Sequence, residues 1–222
     1  NNRYLLDFSL NGSASSLLAP NNRWGIFPAV GAGWILSEED FMKTDWLNFL
    51  KVRASYGVSG RADYSVNLYK QLYGSGKSYY FHTGTTAPSS FSGMRYTQVG
   101  VSDLTYEKSK KLNVGIDFKA FDKLTATVDA FYDRRSDILV ATSGTLSSVF
   151  GLTAPQANEG IIDNRGIEAS LAWNHRINHF TYHIGGQFTF AKNKIINQNE
   201  EYRPYDYLKR TGKSLGINYG YE

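Results

Sequence analysis

Residues 110–137 read KKLNVGIDFKAFDKLTATVDAFYDRRSD, with apolar side chains on every second position on both sides of a short break. Leu112, Val114, Ile116 and Phe118 form one series; Leu124, Ala126, Val128, Ala130 and Tyr132 form the next. Lys111, Asn113, Asp117, Thr125, Thr127 and Asp129 lie on the opposite side. A period of two is that of a β-strand, whose successive side chains point to opposite faces. The segment therefore reads as two long strands joined by a turn at 119–123. One face is polar, and the other must be covered by apolar material.

The same period recurs along the chain. Tyr4, Leu6, Phe8 and Leu10 share a face, as do Trp24, Ile26, Val30 and Trp34. Leu50, Val52, Ala54, Tyr56 and Val58 form another series; so do Ile167, Ala169, Leu171 and Trp173, and Phe180, Tyr182, Ile184, Phe188 and Phe190. Seven strands follow, longer than the about five or six residues usual in globular proteins. The turns at 119–123 and 174–179 are short. The connection at 37–46 is somewhat longer, with Ser37 placed to cap one helical turn and Asp40 at its third position. Residues 11–23, 59–105, 134–164 and 193–222 read as long loops. If neighbouring strands are antiparallel, every short connection falls at one end and every long one at the other. A hairpin within 59–105, from YSVNLYKQLYG and SYYFHTG, adds two strands without changing that parity.

Two architectures carry this pattern. An antiparallel transmembrane β-barrel wall sets its apolar face in lipid and its polar face in a wet lumen. A soluble β-sandwich, serving as a binding or adhesion module, packs the same face into a core. Strand length and one-sided loop length favour an all-β, partial barrel wall of seven to nine strands. Since backbone groups in hydrocarbon are satisfied internally, such a wall belongs to a closed sheet.

The absence of cysteine excludes disulfides and thiol chemistry. A net charge of +4 with its basic residues dispersed along the sequence gives no nucleic-acid footprint. No run of 18 apolar residues appears. The opening NNRYLLDFSL alternates from its start, as expected of a fragment or a processed piece.

The sequence offers little for an enzyme. Glu38, Glu39 and Asp40 read as partners of a helical turn. His175, His179 and His183 are spaced by four, but a turn and a strand point them apart, so no metal or cofactor is expected. GSGKS at 74–78 lacks the remaining spacing of a phosphate loop and reads as a flexible loop tip. Binding candidates are Tyr79, Tyr80, Phe81, His82 and Phe91 in the largest loop, where aromatic faces stack on sugars or dock a partner. Arg53, Asp117, Asp129, Glu168 and Gln187 fall on the lumen-facing side. Trp24, Trp34, Tyr132, Trp173 and Phe180 suit an interfacial aromatic girdle. Pro28 implies a gap in the ladder, and Gly57 and Gly115 imply close approach on the polar face.

Three stretches carry a family resemblance. NNRWGIFPAVGAGWILSEEDFMKTDWLNFLKVRASYGVSG at 21–60 resembles the barrel signature of SusC/RagA-like TonB-dependent outer-membrane transporters. DLTYEKSKKLNVGIDFKAFDKLTATVDAFYDRRSDIL at 103–139 is similar to the hairpin that follows it, and NEGIIDNRGIEASLAWN with GKSLGINYGYE resembles later strands. The chain departs from the pattern at NGSASSLLAP, which lacks the usual charges, at Tyr106 in place of Trp, and at Arg61 in place of Asn. The resemblance implies part of a barrel of about 22 strands, without the plug domain or the TonB-contact segment. It further implies import of glycans or peptides, energised through TonB, under a SusD-like surface lipoprotein, with the short turns periplasmic and the long loops outside.

Overall fold

The computed structural model describes residues 3–81, 89–142, 154–217 and 220. It contains nine strands: β1 (Tyr4–Ala14), β2 (Trp24–Ile35), β3 (Leu47–Arg61), β4 (Leu72–Phe81), β5 (Ser89–Gln98), β6 (Glu107–Ala120), β7 (Leu124–Ala141), β8 (Gln156–Ile177) and β9 (Phe180–Asn197). Seven form one sheet in the order β1-β2-β3-β6-β7-β8-β9, and β4-β5 form a separate hairpin. Every pairing is antiparallel. The sheet is open, as part of a barrel wall is.

Register aligns the alternating series into continuous rows. Ala54 lies opposite Val114, Val114 opposite Ala130, Ala130 opposite Ile167, and Ile167 opposite Phe190. Leu6, Ala32 and Ala54 continue that row across β1 to β3. A one-residue slip in any ladder would move a whole series to the other face. The apolar face therefore runs unbroken over all seven strands. Among the described residues no second sheet covers it: Leu6 is 80% exposed, Ile184 66% and Phe188 63%. From Leu124 to Tyr132 the belt measures roughly 26 Å along β7, or about 20 Å along the barrel axis at a tilt near 40°.

The long-loop end differs from the sequence expectation. Strands reach to Ala14, Arg61, Ala141 and Asn197, and β8 begins at Gln156, well inside the segments expected as loops. Here charged residues such as Arg134 and Arg135 fall on successive positions and apolar ones such as Ile138, Leu139 and Val140 follow in a run, so the alternation fades while the backbone ladder continues, as in Arg134 opposite Asp163. The hairpin also differs: β3 pairs directly with β6, so β4 and β5 stand outside the wall. GSGKS lies within β4, with an irregular register between Ser75 and Ser78, and residues 65–70 form turns instead of its first arm. Small Gly and Ser side chains hid the strand.

Pro28 ends the β2–β3 ladder, which runs only from Ala29–Gly57 to Ile35–Lys51. Above it, Phe27 turns into the gap, 7% exposed and edge-on to Tyr106 at 5.4 Å. A side chain at Gly60 would place its Cβ 2.0 Å from that ring, so only glycine fits. Leu18, Val101 and Leu104 complete a small core. Two departures from the family pattern, the LLAP run and Tyr106, are thus the packing of this loop end.

The short connection at 36–46 carries a single 3-10 turn, Leu36–Glu38, with no side-chain cap. Ser37 does not cap it; its hydroxyl is buried and unbonded. Glu39 organises the turn instead. It accepts hydrogen bonds from Tyr4 Oη at 2.9 Å, Trp34 Nε1 at 3.1 Å and Arg3 Nη1 at 3.0 Å. The Trp34 bond above all, then that of Tyr4, lowers its carboxyl below the ordinary value.

Candidate functional site

The polar face of the sheet has one dense centre. Arg53 on β3 donates from Nε to Asp117 Oδ2 at 3.2 Å, from Nη1 to Asn113 Oδ1 at 3.2 Å, and from Nη2 to Asp129 Oδ2 at 2.8 Å. Those acceptors lie on β6 and β7, so one guanidinium fork ties three strands together. Gly115 makes this possible, since a Cβ there would lie 2.5 Å from Asp129 Oδ1 and 2.7 Å from Arg53 Cζ. Gly57 answers closer packing of the same kind, with Ala29 Cβ at 3.1 Å. Glu168 lies opposite Asp129, and Gln187 opposite Ser170. Three of the five polar-face candidates thus share one cluster, and the other two extend the same wall.

Nearer the long loops the polar face opens into a cavity of about 490 Å³. Ser59, Arg61, Glu107, Lys111, Arg135 and Asn164 line it. Beside it, Ser109 donates to Asp133, which also receives Arg135 Nε at 3.3 Å. Sequence reasoning missed this basin as a site. Its side chains share the parity of Arg53 and Asp117, but only register gathers them at one level.

A second polar centre fixes the loops above. Asn158 Nδ2 donates to Asp137 O at 2.7 Å, Tyr64 Oη at 3.1 Å and Thr105 O at 3.4 Å, while Thr105 N donates to its Oδ1 at 3.1 Å. Tyr64 Oη in turn donates to Thr105 O at 2.8 Å. Burial, first among the causes, pushes the Tyr64 hydroxyl up to about 12. Asn22 Nδ2 donates to Asp103 O at 3.1 Å. Segments far apart in sequence are thereby held together over the mouth of the wall.

The aromatic loop candidates sit on the separate hairpin. Tyr79 lies opposite Phe91, and Tyr80 opposite Ser90. Tyr79, Tyr80 and Phe91 are exposed. Phe81 ends β4, and His82 lies outside the described residues. Among the girdle candidates, Trp34 stacks on Tyr4 at 6.1 Å near the short turns, where Trp173 and Phe180 also lie. Trp24 lies at the long-loop end of β2, and Tyr132 lies opposite Arg165. His175 packs edge-on against Tyr182 at 5.6 Å, and His183 Nδ1 faces Asn174 Oδ1 at 2.5 Å. Among the described residues no group of three metal-ligating side chains converges.

Comparison with known proteins places this architecture. Residues 2–222 match the model of the TonB dependent receptor-like, beta-barrel family. TonB-dependent receptor P39 of Formosa agariphila is 32% identical over 99% of this chain and 21% of its own length. TonB-dependent receptor SusC of Bacteroides thetaiotaomicron is 28% identical over 87% of this chain and 19% of its own. Among solved structures, the RagAB peptide importer in its open-open state superposes with a TM-score of 0.75 at 23% identity, over 88% of this chain and 20% of that one. The chain thus spans about a fifth of the length of the relatives it matches.

Proposed function

The chain belongs to the TonB-dependent receptor-like β-barrel family, and we propose that it forms part of the wall of an outer-membrane, TonB-driven importer of the SusC/RagA type. The observation that carries this reading is the unbroken apolar belt, backed on the other face by small and polar residues that include the charged Arg53, Asp117, Asp129 and Glu168 of β3, β6, β7 and β8. In lipid such a belt is satisfied without a second sheet, whereas a soluble sandwich would have to cover it. The protein is a transporter and not an enzyme. Its short turns face the periplasm and its long loops the exterior.

In this reading the substrate is a glycan or a peptide, captured beneath a SusD-like lipoprotein that closes on the loops. The basin around Arg61, Glu107, Lys111 and Arg135 supports a polar, hydrogen-bonding cargo. The Tyr79, Tyr80 and Phe91 hairpin stands clear of the wall and suits docking of the lid or stacking on cargo. The Arg53 cluster stiffens the wall through which the cargo passes. TonB engages parts of the protein beyond this segment.

The test is purification of the parent protein from membranes. The expected product requires detergent, runs as a compact band that shifts on heating, and brings a surface lipoprotein with it. Deletion of the parent gene is expected to abolish energy-dependent uptake of one polymer class. A water-soluble monomer with sharp unfolding would overturn the reading.

A further inference from the structure

The outward face is electrically asymmetric along the strands, and only the register reveals it. At the short-turn end it carries Tyr4, Trp34, Phe118, Trp173, Phe180 and Tyr182, none of them a cation. At the long-loop end of β6 to β9 it carries Lys108, Lys110, Arg134, Arg165, Lys192 and Lys194. Lys110 lies opposite Arg134, Arg134 opposite Asp163, and Asp163 opposite Lys194; one step nearer the belt, Arg165 lies opposite Lys192. Asp163 is the single carboxylate in these two rows and forms an ion pair with Arg134 at 3.1 Å, while Lys108 reaches Asp137 at 3.1 Å. Lys110, Arg165, Lys192 and Lys194 are exposed and make no ion pair among the described residues.

These cations begin where the grease ends. Ile167 and Phe190 top the apolar belt on β8 and β9, and Arg165 and Lys192 are the next outward residues on those strands. A cavity of about 570 Å³ opens there, lined by Tyr132, Asp163, Arg165, Lys192, Lys194 and Lys213 among others. Four adjacent strands span about 14 Å. An amphiphile lying on this surface would set acyl chains along Ala130, Ile167 and Phe190, and its headgroup among the cations. Arg165 offers a planar fork suited to phosphate, and the lysines supply point charges around it. A soluble anionic polymer would have no use for the belt beneath.

We propose that the outer face of β6 to β9 is a binding site for the phosphorylated headgroup of an outer-leaflet glycolipid, held by Lys110, Arg165, Lys192 and Lys194. This rests on the membrane orientation proposed above.

The test uses the parent transporter purified in detergent and offered bisphosphorylated lipid A or its dephosphorylated form, with retained lipid read by native mass spectrometry. The phosphorylated form is expected to be retained at least about tenfold better, given the attraction of several cations to one anionic surface. That preference is expected to collapse in K110Q/R165Q/K192Q/K194Q and to survive K51Q/K119Q, whose positions fall on the polar face. Equal retention of the two lipids by the native protein overturns the proposal, as does a preference that persists in the quadruple variant. Complete displacement by inorganic phosphate alone overturns the lipid as occupant. If the quadruple variant does not fold, the two-lipid comparison on the native protein decides. A parent that needs no detergent defeats the transporter reading itself, whereas a detergent-requiring barrel indifferent to phosphate defeats only this site.

Discussion

Arg53 on β3 and Asp129 on β7 meet at 2.8 Å across the whole width of β6, passing over Gly115. The pair exists because that one position lacks a side chain. Gly115→Ala is expected to push the guanidinium off Asp129 and to destabilise the wall by about 1–3 kcal/mol, as an overpacked site does. Arg53→Met is expected to loosen the same place by leaving Asp117 and Asp129 without their shared cation. The midpoint of the heat-induced band shift of the parent barrel measures both. If Gly115→Ala shifts as the native protein does, the bridge does not hold the strands.

Phe27 is the second packing device, and it follows from Pro28. With no N–H to offer, Pro28 ends the ladder, and the ring fills the space that opens. Phe27→Ala is expected to cost about 3–5 kcal/mol locally, the usual loss for an emptied aromatic site. Because Leu18, Leu104 and Tyr106 rest on that ring, protease sensitivity is expected to appear in residues 15–23 and 99–106 before the sheet itself opens. Cleavage confined to other loops would count against this account.

How much of this was readable beforehand depends on which physical rule governs each part. Alternation gave all seven wall strands, because lipid on one side and water on the other impose a period of two. It faded above the belt, where Arg134, Arg135 and Ser136 meet water on both faces yet remain in β7. It failed at GSGKS, where small residues carry no hydrophobic signal. Parity placed Arg53, Asp117 and Asp129 on one face, but their convergence required the offset between three ladders, which no single strand encodes. The cations teach the same lesson: dispersed in the sequence, Lys110, Arg134, Arg165, Lys192 and Lys194 gather only when four strands are in register. Ser37 does not cap because it lies inside the 3-10 turn, whose N-cap position is held by Ile35.

Asn158 holds the mouth of the wall, since its amide serves Tyr64, Thr105 and Asp137 together. Asn158→Ala strands those partners and is expected to cost about 1–3 kcal/mol. Asn158→Asp is expected to be no better, because it replaces a donor to two carbonyls with an acceptor. The readout is hydrogen exchange at the Thr105 amide, expected to accelerate in both variants. Unchanged exchange would make the asparagine incidental.

Glu200 ties down the final loop. Its carboxylate accepts from the backbone N–H of Arg210 at 2.8 Å and of Thr211 at 2.8 Å, and from the Thr211 hydroxyl at 2.9 Å. Desolvation is the largest single influence and works upward, yet the amides of Thr211 and then Arg210 together prevail and hold its pKa at about 2. A carboxylate depressed in the folded state stabilises it above the unfolded value, and that support fades as pH falls toward the folded one. The loop is therefore expected to stay docked at neutral pH and to loosen between about pH 4.5 and 2. Glu200→Gln is expected to remove most of the pH dependence and leave the loop loose throughout. Amide chemical shifts of Arg210 and Thr211 along an acid titration measure this. A transition centred near pH 4.5 would mean that the hydrogen bonds do not hold the charge, and the docking of the loop would then need another cause.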